Sequence, residues 1–107
     1  MNEPLRELEE QYFFLRRNFE EIFEACQTEE QRNELRRRFA TARRNYWGSI
    51  NKQFNESSAE VEDLLREMKR AKERIEDALE DLQQISQILG VITAAVQVGS
   101  ALAALGV

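Results

Sequence analysis

Apolar residues recur at spacings of three and four near the amino terminus, which is the pattern of one face of an α-helix. Asn2 is suited to the N-cap, and Pro4 is tolerated in a first helical turn. The expected inward series is Leu5, Leu8, Tyr12, Leu15, Phe19, Ile22 and Cys26. Phe13, Phe14 and Phe23 fall outside this series, so we expect the first helix to contact more than one neighbour.

A second helix is predicted after Cys26. Thr28, followed three residues later by Gln31, fits a capping box, in which the two side chains bond to free backbone N–H groups. The inward positions of this helix would be Leu35, Phe39, Ala42, Tyr46, Ile50 and Phe54, with Trp47 at the flank. The short connection predicts an antiparallel helical hairpin.

Ser57 and Glu60 fit a second capping box and predict the start of a third helix. The series that follows is Val61, Leu64, Met68, Ala71, Ile75, Ala78, Leu82, Ile85, Leu89, Ile92, Val96 and Gly99. Because the spacing never slips, we predict one helix from about Ser58 to beyond Ala95, and a turn between Leu82 and Thr93 would contradict it. The competing arrangement is a four-helix bundle in which the tail folds back as a short fourth helix.

The predicted fold class is therefore all-α: an antiparallel hairpin and one long C-terminal helix in a coiled-coil-like bundle that ends in an uncharged apolar segment. Residues 1–85 form the charged amphipathic region, and residues 86–107 form an apolar tail continuous with the third helix. One proline and four glycines leave few turns for a β-rich fold. A chain of 107 residues with such long helices has little room for its own core, so we expect a homo-oligomer.

Charge alternates along the chain. Residues 1–26 carry seven acidic and three basic side chains, residues 29–55 carry three and seven, and residues 57–85 carry nine and five. The net charges of −4, +4 and −4 favour a basic second helix lying between two acidic ones.

The last twenty-three residues carry no charge, and a run longer than about eighteen such residues is the usual criterion for a membrane span. The predicted oligomer or membrane contacts are Ile85, Leu89, Ile92, Val96, Gly99 and Ala103. A second stripe, of polar character, contains Ser86, Thr93, Gln97 and Ser100. Two features argue against an ordinary anchor: the basic residue nearest to the tail is Arg74, and the tail itself contains no Trp or Tyr for an interfacial belt.

These features lead to three interpretations of function. The first is a non-catalytic, membrane-associated protein that self-assembles through its tail, with membrane lipid as a partner and its charged region in the reducing cytoplasm. The alternative is a soluble cytoplasmic homo-oligomeric interaction or scaffold protein with the tail as a shared core. The third is an α-helical pore-forming protein, whose general layout this chain resembles although no family motif is present.

Catalysis is not expected, because the chain has no histidine for acid–base or nucleophilic chemistry. We predict no catalytic, cofactor-binding or metal-ligating residues and no small-molecule substrate. Cys26 lies on the apolar face of the first helix, which favours a buried thiol. The basic run from Arg36 to Arg44 points in several directions around its helix, so a solvated, ion-paired face is favoured over nucleic-acid binding.

Overall fold

The computed structural model describes residues 2–107, and these form four α-helices and no strand. The helices are α1 (Glu3–Ala25), α2 (Glu29–Ser49), α3 (Ala59–Ala78) and α4 (Ile85–Ala104). The all-α class and the antiparallel hairpin of α1 and α2 are confirmed. The predicted single long third helix is wrong, because α3 ends at Ala78 and α4 begins at Ile85.

The turn between α3 and α4 is built without glycine or proline, which is why the sequence pattern concealed it. The Asp81 carboxylate accepts a bond from the backbone N–H of Gln83, and the Asp81 carbonyl accepts one from Gln84. Leu82 packs against the core cluster at this end of the bundle. The three-and-four spacing therefore continues through the turn, since its apolar residues face the same core as the helices do.

The helices run up, down, up and down, and α4 folds back antiparallel to α3. Bonds from Gln31 to Ser86 and from Asn45 to Ser100 show that α2 and α4 run parallel. Helix α4 contacts the other three helices, whereas α2 and α3 do not touch each other. The predicted placement of basic α2 between acidic α1 and α3 is thus wrong, because α1 packs directly on α3 and α2 does not reach α3.

The predicted helix starts agree with the structure in two of three cases. The Asn2 side chain accepts a bond from the Leu5 N–H, and the Thr28 hydroxyl accepts one from the Gln31 N–H. The capping box at Ser57 and Glu60 does not form, because Ser58 is the N-cap residue and its side chain makes no capping bond.

The inward face of α1 is confirmed, since every member of its series is buried except Phe19, which is half-buried. Helix α2 is shorter than predicted. Ile50 caps its end and is 48% exposed, and Phe54 lies in the connection to α3, where it is half-buried. In α3 the buried position is Leu65, while Leu64 is only half-buried.

The connection between α2 and α3 holds the end of the chain. Gln53 and Val107 exchange two backbone hydrogen bonds of 2.8 and 2.9 Å, and the Lys52 ammonium donates to the Ala103 carbonyl. These bonds satisfy a backbone carbonyl in the last turn of α4 and the backbone groups of Val107 beyond its end, where an α-helix leaves groups without full intrahelical pairing. The carboxyl end of α4 is therefore fixed against the body of the bundle.

Candidate interaction surface

The inner face of α4 is the core of the bundle. The six tail residues singled out from the sequence are all buried: Ile85, Leu89, Ile92, Val96, Gly99 and Ala103. Helices α1, α2 and α3 of the same chain cover them. The sequence analysis expected little room for a core within one chain, but the inner face of α4 is covered by the chain itself and needs neither lipid nor a second copy.

Most of the polar stripe on α4 faces α2. Asn45 donates to the Ser100 hydroxyl at 3.0 Å, and Thr93 donates to the Glu34 carboxylate at 3.1 Å. Ser86 accepts a longer bond of 3.4 Å from Gln31. Gln97, the remaining member of the stripe, is exposed. The stripe thus supplies hydrogen bonds between two helices of one chain.

Glu34 is the centre of the strongest of these contacts. The Arg37 guanidinium, which bonds to this carboxylate, is the largest cause that holds its pKa below its usual value, and bonds from Arg38 and Thr93 act in the same direction. Arg38 also donates to the Thr93 hydroxyl at 3.2 Å. The charged form of Glu34 therefore connects the basic surface of α2 to α4.

Gly99 lies at a close contact between helices, as its small size suggested. A Cβ atom at this position would lie 2.5 Å from Oε1 of Gln11 on α1. The Nε2 of Gln11 donates to the Ala95 carbonyl at 2.9 Å and approaches the Met68 sulfur at 3.8 Å. The Gln11 amide is thus held in place among α1, α3 and α4, and the missing side chain of Gly99 provides its space.

The outer face of α4 forms an open groove with α3 that the sequence analysis missed. We call it the α3/α4 groove; its volume is about 520 Å³. Its lining residues are Glu67, Arg70, Ala71 and Arg74 of α3 and Gln87, Gly90, Val91, Ala94, Ala95 and Val98 of α4. All charge lies on the α3 wall. The sequence contained a partial sign of this surface. The exposed residues Gly90, Ala94, Gln97, Ala101 and Ala104 repeat at spacings of four and three, and the first two of them line the groove.

The basic run on α2 forms ion pairs mainly within its own helix. Arg32 and Arg36 pair with Glu29, as Arg37 and Arg38 do with Glu34. The predicted ion-paired face is present, but its partners lie on α2 itself, not on the neighbouring acidic helices.

Beyond these ion pairs, the Arg43 guanidinium lies 5.6 Å from the ring centre of Trp47, which is 60% exposed. The arginine covers one side of the indole ring by a cation–π contact.

Two further titratable groups are buried. Burial, followed by the neighbouring charge of Glu10, raises the pKa of Glu7 on α1. Burial also raises the pKa of the Cys26 thiol, which donates to the Ile22 carbonyl. Neither group belongs to a larger cluster: within residues 2–107, no three acidic, cysteine or histidine side chains gather where they could hold a metal ion.

In comparisons with known proteins, no family model matches the chain, and no curated protein or solved structure is significantly similar to it. Helix α4 is long and apolar enough to cross a membrane, but a buried core helix passes the same test. Of its most apolar eighteen residues, 44% lie buried inside the bundle. The part of this apolar helix that the bundle leaves unburied lies on the outward side of α4, and this side is the candidate interaction surface.

Proposed function

We propose that this protein is a non-catalytic helical bundle that self-associates through the α3/α4 groove and serves as an interaction or scaffold module. The groove supports this function because its α4 side is uncharged and mostly apolar, while its α3 side is charged. An apolar surface with a charged rim is the usual composition of a protein–protein contact. The absence of histidine from the chain supports a non-catalytic role.

Ala94 provides a direct test, because it lines the groove and is exposed, so a larger side chain there does not disturb the core. We expect sedimentation velocity to show the wild type as a dimer or larger and Ala94→Glu as a monomer. The matched control is Ala59→Glu, at an alanine that is also exposed, lies at the start of α3 and is not part of the groove. A wild type that remains monomeric up to millimolar concentration would refute the proposal.

Membrane association is a second candidate, which the length and apolar character of α4 favour. The outer face of α4 would lie on the bilayer, or the helix would leave the bundle and insert. Flotation with liposomes of neutral and of anionic lipid tests this, again with Ala94→Glu and Ala59→Glu. Wild type that stays at the bottom of the gradient in both cases would exclude this candidate.

Ile92 is a poor position for such a test. Its side chain is completely buried, so a lysine there would place an unpaired charge in the core and unfold the bundle with or without lipid. The pore-forming hypothesis has no comparable support, because three residues of the polar stripe bond to α2 within the chain.

A further inference from the structure

We propose that the occupant of the α3/α4 groove is a second copy of this chain in antiparallel orientation, with α4 against α4 and α3 against α3 across a two-fold axis. This inference rests on the proposed self-association and specifies its geometry. The charge order along α3 carries it, and the small residues of α4 allow it.

The exposed charges on the groove side of α3 change sign near its middle. Glu67, Arg70 and Arg74 line the groove, and Asp63 lies one helical turn before Glu67 on the same side. All four side chains are exposed, and Asp63 also forms an ion pair with Arg66 of its own helix. This side of the helix is therefore acidic toward its amino end and basic toward its carboxyl end.

A two-fold axis between residues 67 and 70 makes this order self-complementary. In an antiparallel pair, Glu67 of one copy faces Arg70 of the other, and Asp63 faces Arg74, because both pairs are centred on the same point. Each contact occurs twice in a symmetric dimer. A parallel arrangement would place acid opposite acid and base opposite base, which is unfavourable. The next charges outward, Glu60 and Asp77, are both acidic, but helices that cross at an angle diverge at their ends.

The two arginines are available for such pairs. Neither Arg70 nor Arg74 lies within 4.0 Å of a carboxylate in the described part of the chain, although five other basic residues of α2 and α3 have such contacts within their own helix. Arg70 and Arg74 are four positions apart, so they repel each other in the isolated bundle. Carboxylates from a second copy would relieve this repulsion.

The contacts of Gln11 show which residue of α4 lies at the same height along the bundle as the proposed two-fold axis. Its amide contacts both Met68 and Ala95, which places the middle of α3 level with Ala95. The exposed Ala94 is therefore close to the axis, whereas Ala104 lies about nine residues from it. Small residues at the centre permit two helices to approach closely, to interaxial distances of roughly 8 Å.

Charge reversal tests the pairing. Arg70→Glu with Arg74→Glu makes this side of α3 uniformly acidic, and Asp63→Lys with Glu67→Lys makes it uniformly basic. We expect each double variant alone to dissociate at least tenfold more readily than wild type, and an equimolar mixture of the two to form a heterodimer. As a control, Glu76→Lys reverses the charge of an exposed α3 side chain that lies outside the groove, and it should leave the dimer intact.

Cysteine cross-linking tests the direction. In a Cys26→Ala background, we expect Ala94→Cys to form an intermolecular disulfide rapidly, because a disulfide requires Cα atoms within about 7 Å. Ala104→Cys should not, since antiparallel copies would separate its two Cα atoms by about 27 Å along the helix axis.

The outcomes separate this inference from the proposed function. A monomeric wild type would overturn both. A dimer that Ala94→Glu disrupts but both charge reversals leave intact would preserve self-association and overturn the antiparallel pairing. Efficient cross-linking at position 104 would indicate a parallel arrangement and would also overturn it.

Discussion

The contact between Gly99 and Gln11 predicts that two glycines of the same helix respond oppositely to alanine. Gly90 has no heavy atom within 4 Å of the position a Cβ would take, whereas Gly99 would bring that atom to 2.5 Å from the Gln11 Oε1. Both residues lie inside α4. Alanine therefore brings the same gain in helix propensity at both positions, and a steric cost at only one.

The helix-propensity gain and the steric cost together determine whether each substitution raises or lowers the free energy of unfolding. Alanine in place of glycine within a helix stabilises by roughly 0.5–1 kcal/mol. At position 99 the Gln11 amide must move, which breaks its 2.9 Å bond to the Ala95 carbonyl. The Oε1 atom of this amide already lacks a hydrogen-bond partner, so the added cost is that of an unpaired Nε2 group, about 1–3 kcal/mol. We expect Gly90→Ala to raise the free energy of unfolding and Gly99→Ala to lower it. Because the propensity gain is the same at both positions, the difference between them equals this cost, about 1–3 kcal/mol.

Urea denaturation followed by helical circular dichroism measures both changes. Because Gly90 lines the α3/α4 groove, Gly48→Ala serves as a second control: Gly48 is exposed on α2 and also has no atom within 4 Å of its Cβ position. A change of 1 kcal/mol in a domain of this size moves the melting temperature by roughly 4–6 °C, so the expected difference is easily resolved.

A double-mutant cycle identifies the cause. If the Gln11 amide is responsible, Gly99→Ala should cost much less in a Gln11→Ala background, since nothing then occupies the space that the new methyl group takes. Stabilisation by Gly99→Ala as large as that by Gly90→Ala would refute the reasoning. It would mean that Gln11, whose side chain is flexible, turns toward solvent without loss.

Three further predictions concern single side chains. The pKa of Glu7 is raised in the folded protein, so the free energy of unfolding should increase as pH falls through that pKa toward 4.5. Glu7→Gln should stabilise the protein at pH 7 and make its stability depend less on pH, as measured by urea titrations at several pH values. Thr28→Ala should lower the free energy of unfolding by about 1 kcal/mol, because it removes a capping bond. Ser58→Ala should lower it much less, because the Ser58 side chain makes no capping bond. Equal destabilisation of the two variants in thermal melts would contradict this. The Cys26 thiol is 7% exposed and its pKa is raised by burial. It should therefore react with a thiol reagent at least a hundredfold more slowly in native buffer than in denaturant. Equal reaction rates would show that the thiol is accessible in the folded protein.

The sequence by itself determined the local structure of this protein. Helical periodicity located the apolar faces, and Asn2 and Thr28 marked two helix starts because a side-chain oxygen next to a free N–H is a local interaction. The buried side of α4 was readable in part, since the six residues expected to need cover are buried, although Ile88, Ala95 and Leu102 are buried as well and were not predicted. Interactions within a few residues of each other depend little on the rest of the fold, although the predicted capping box at Ser57 and Glu60 is just as local and does not form.

Only the tertiary structure decided what covers α4. The turn at Leu79–Gln84 is unmarked by glycine or proline, and Asp81, the one residue that could have suggested it, is also compatible with a helix surface. The chain turns there because twenty uncharged residues gain more by packing on α1, α2 and α3 than by extending alone into water. The same packing turns one side of α4 outward against the charges of α3 and so creates the α3/α4 groove. Such a surface depends on which helices become neighbours, and periodicity along one helix carries no information about its neighbours.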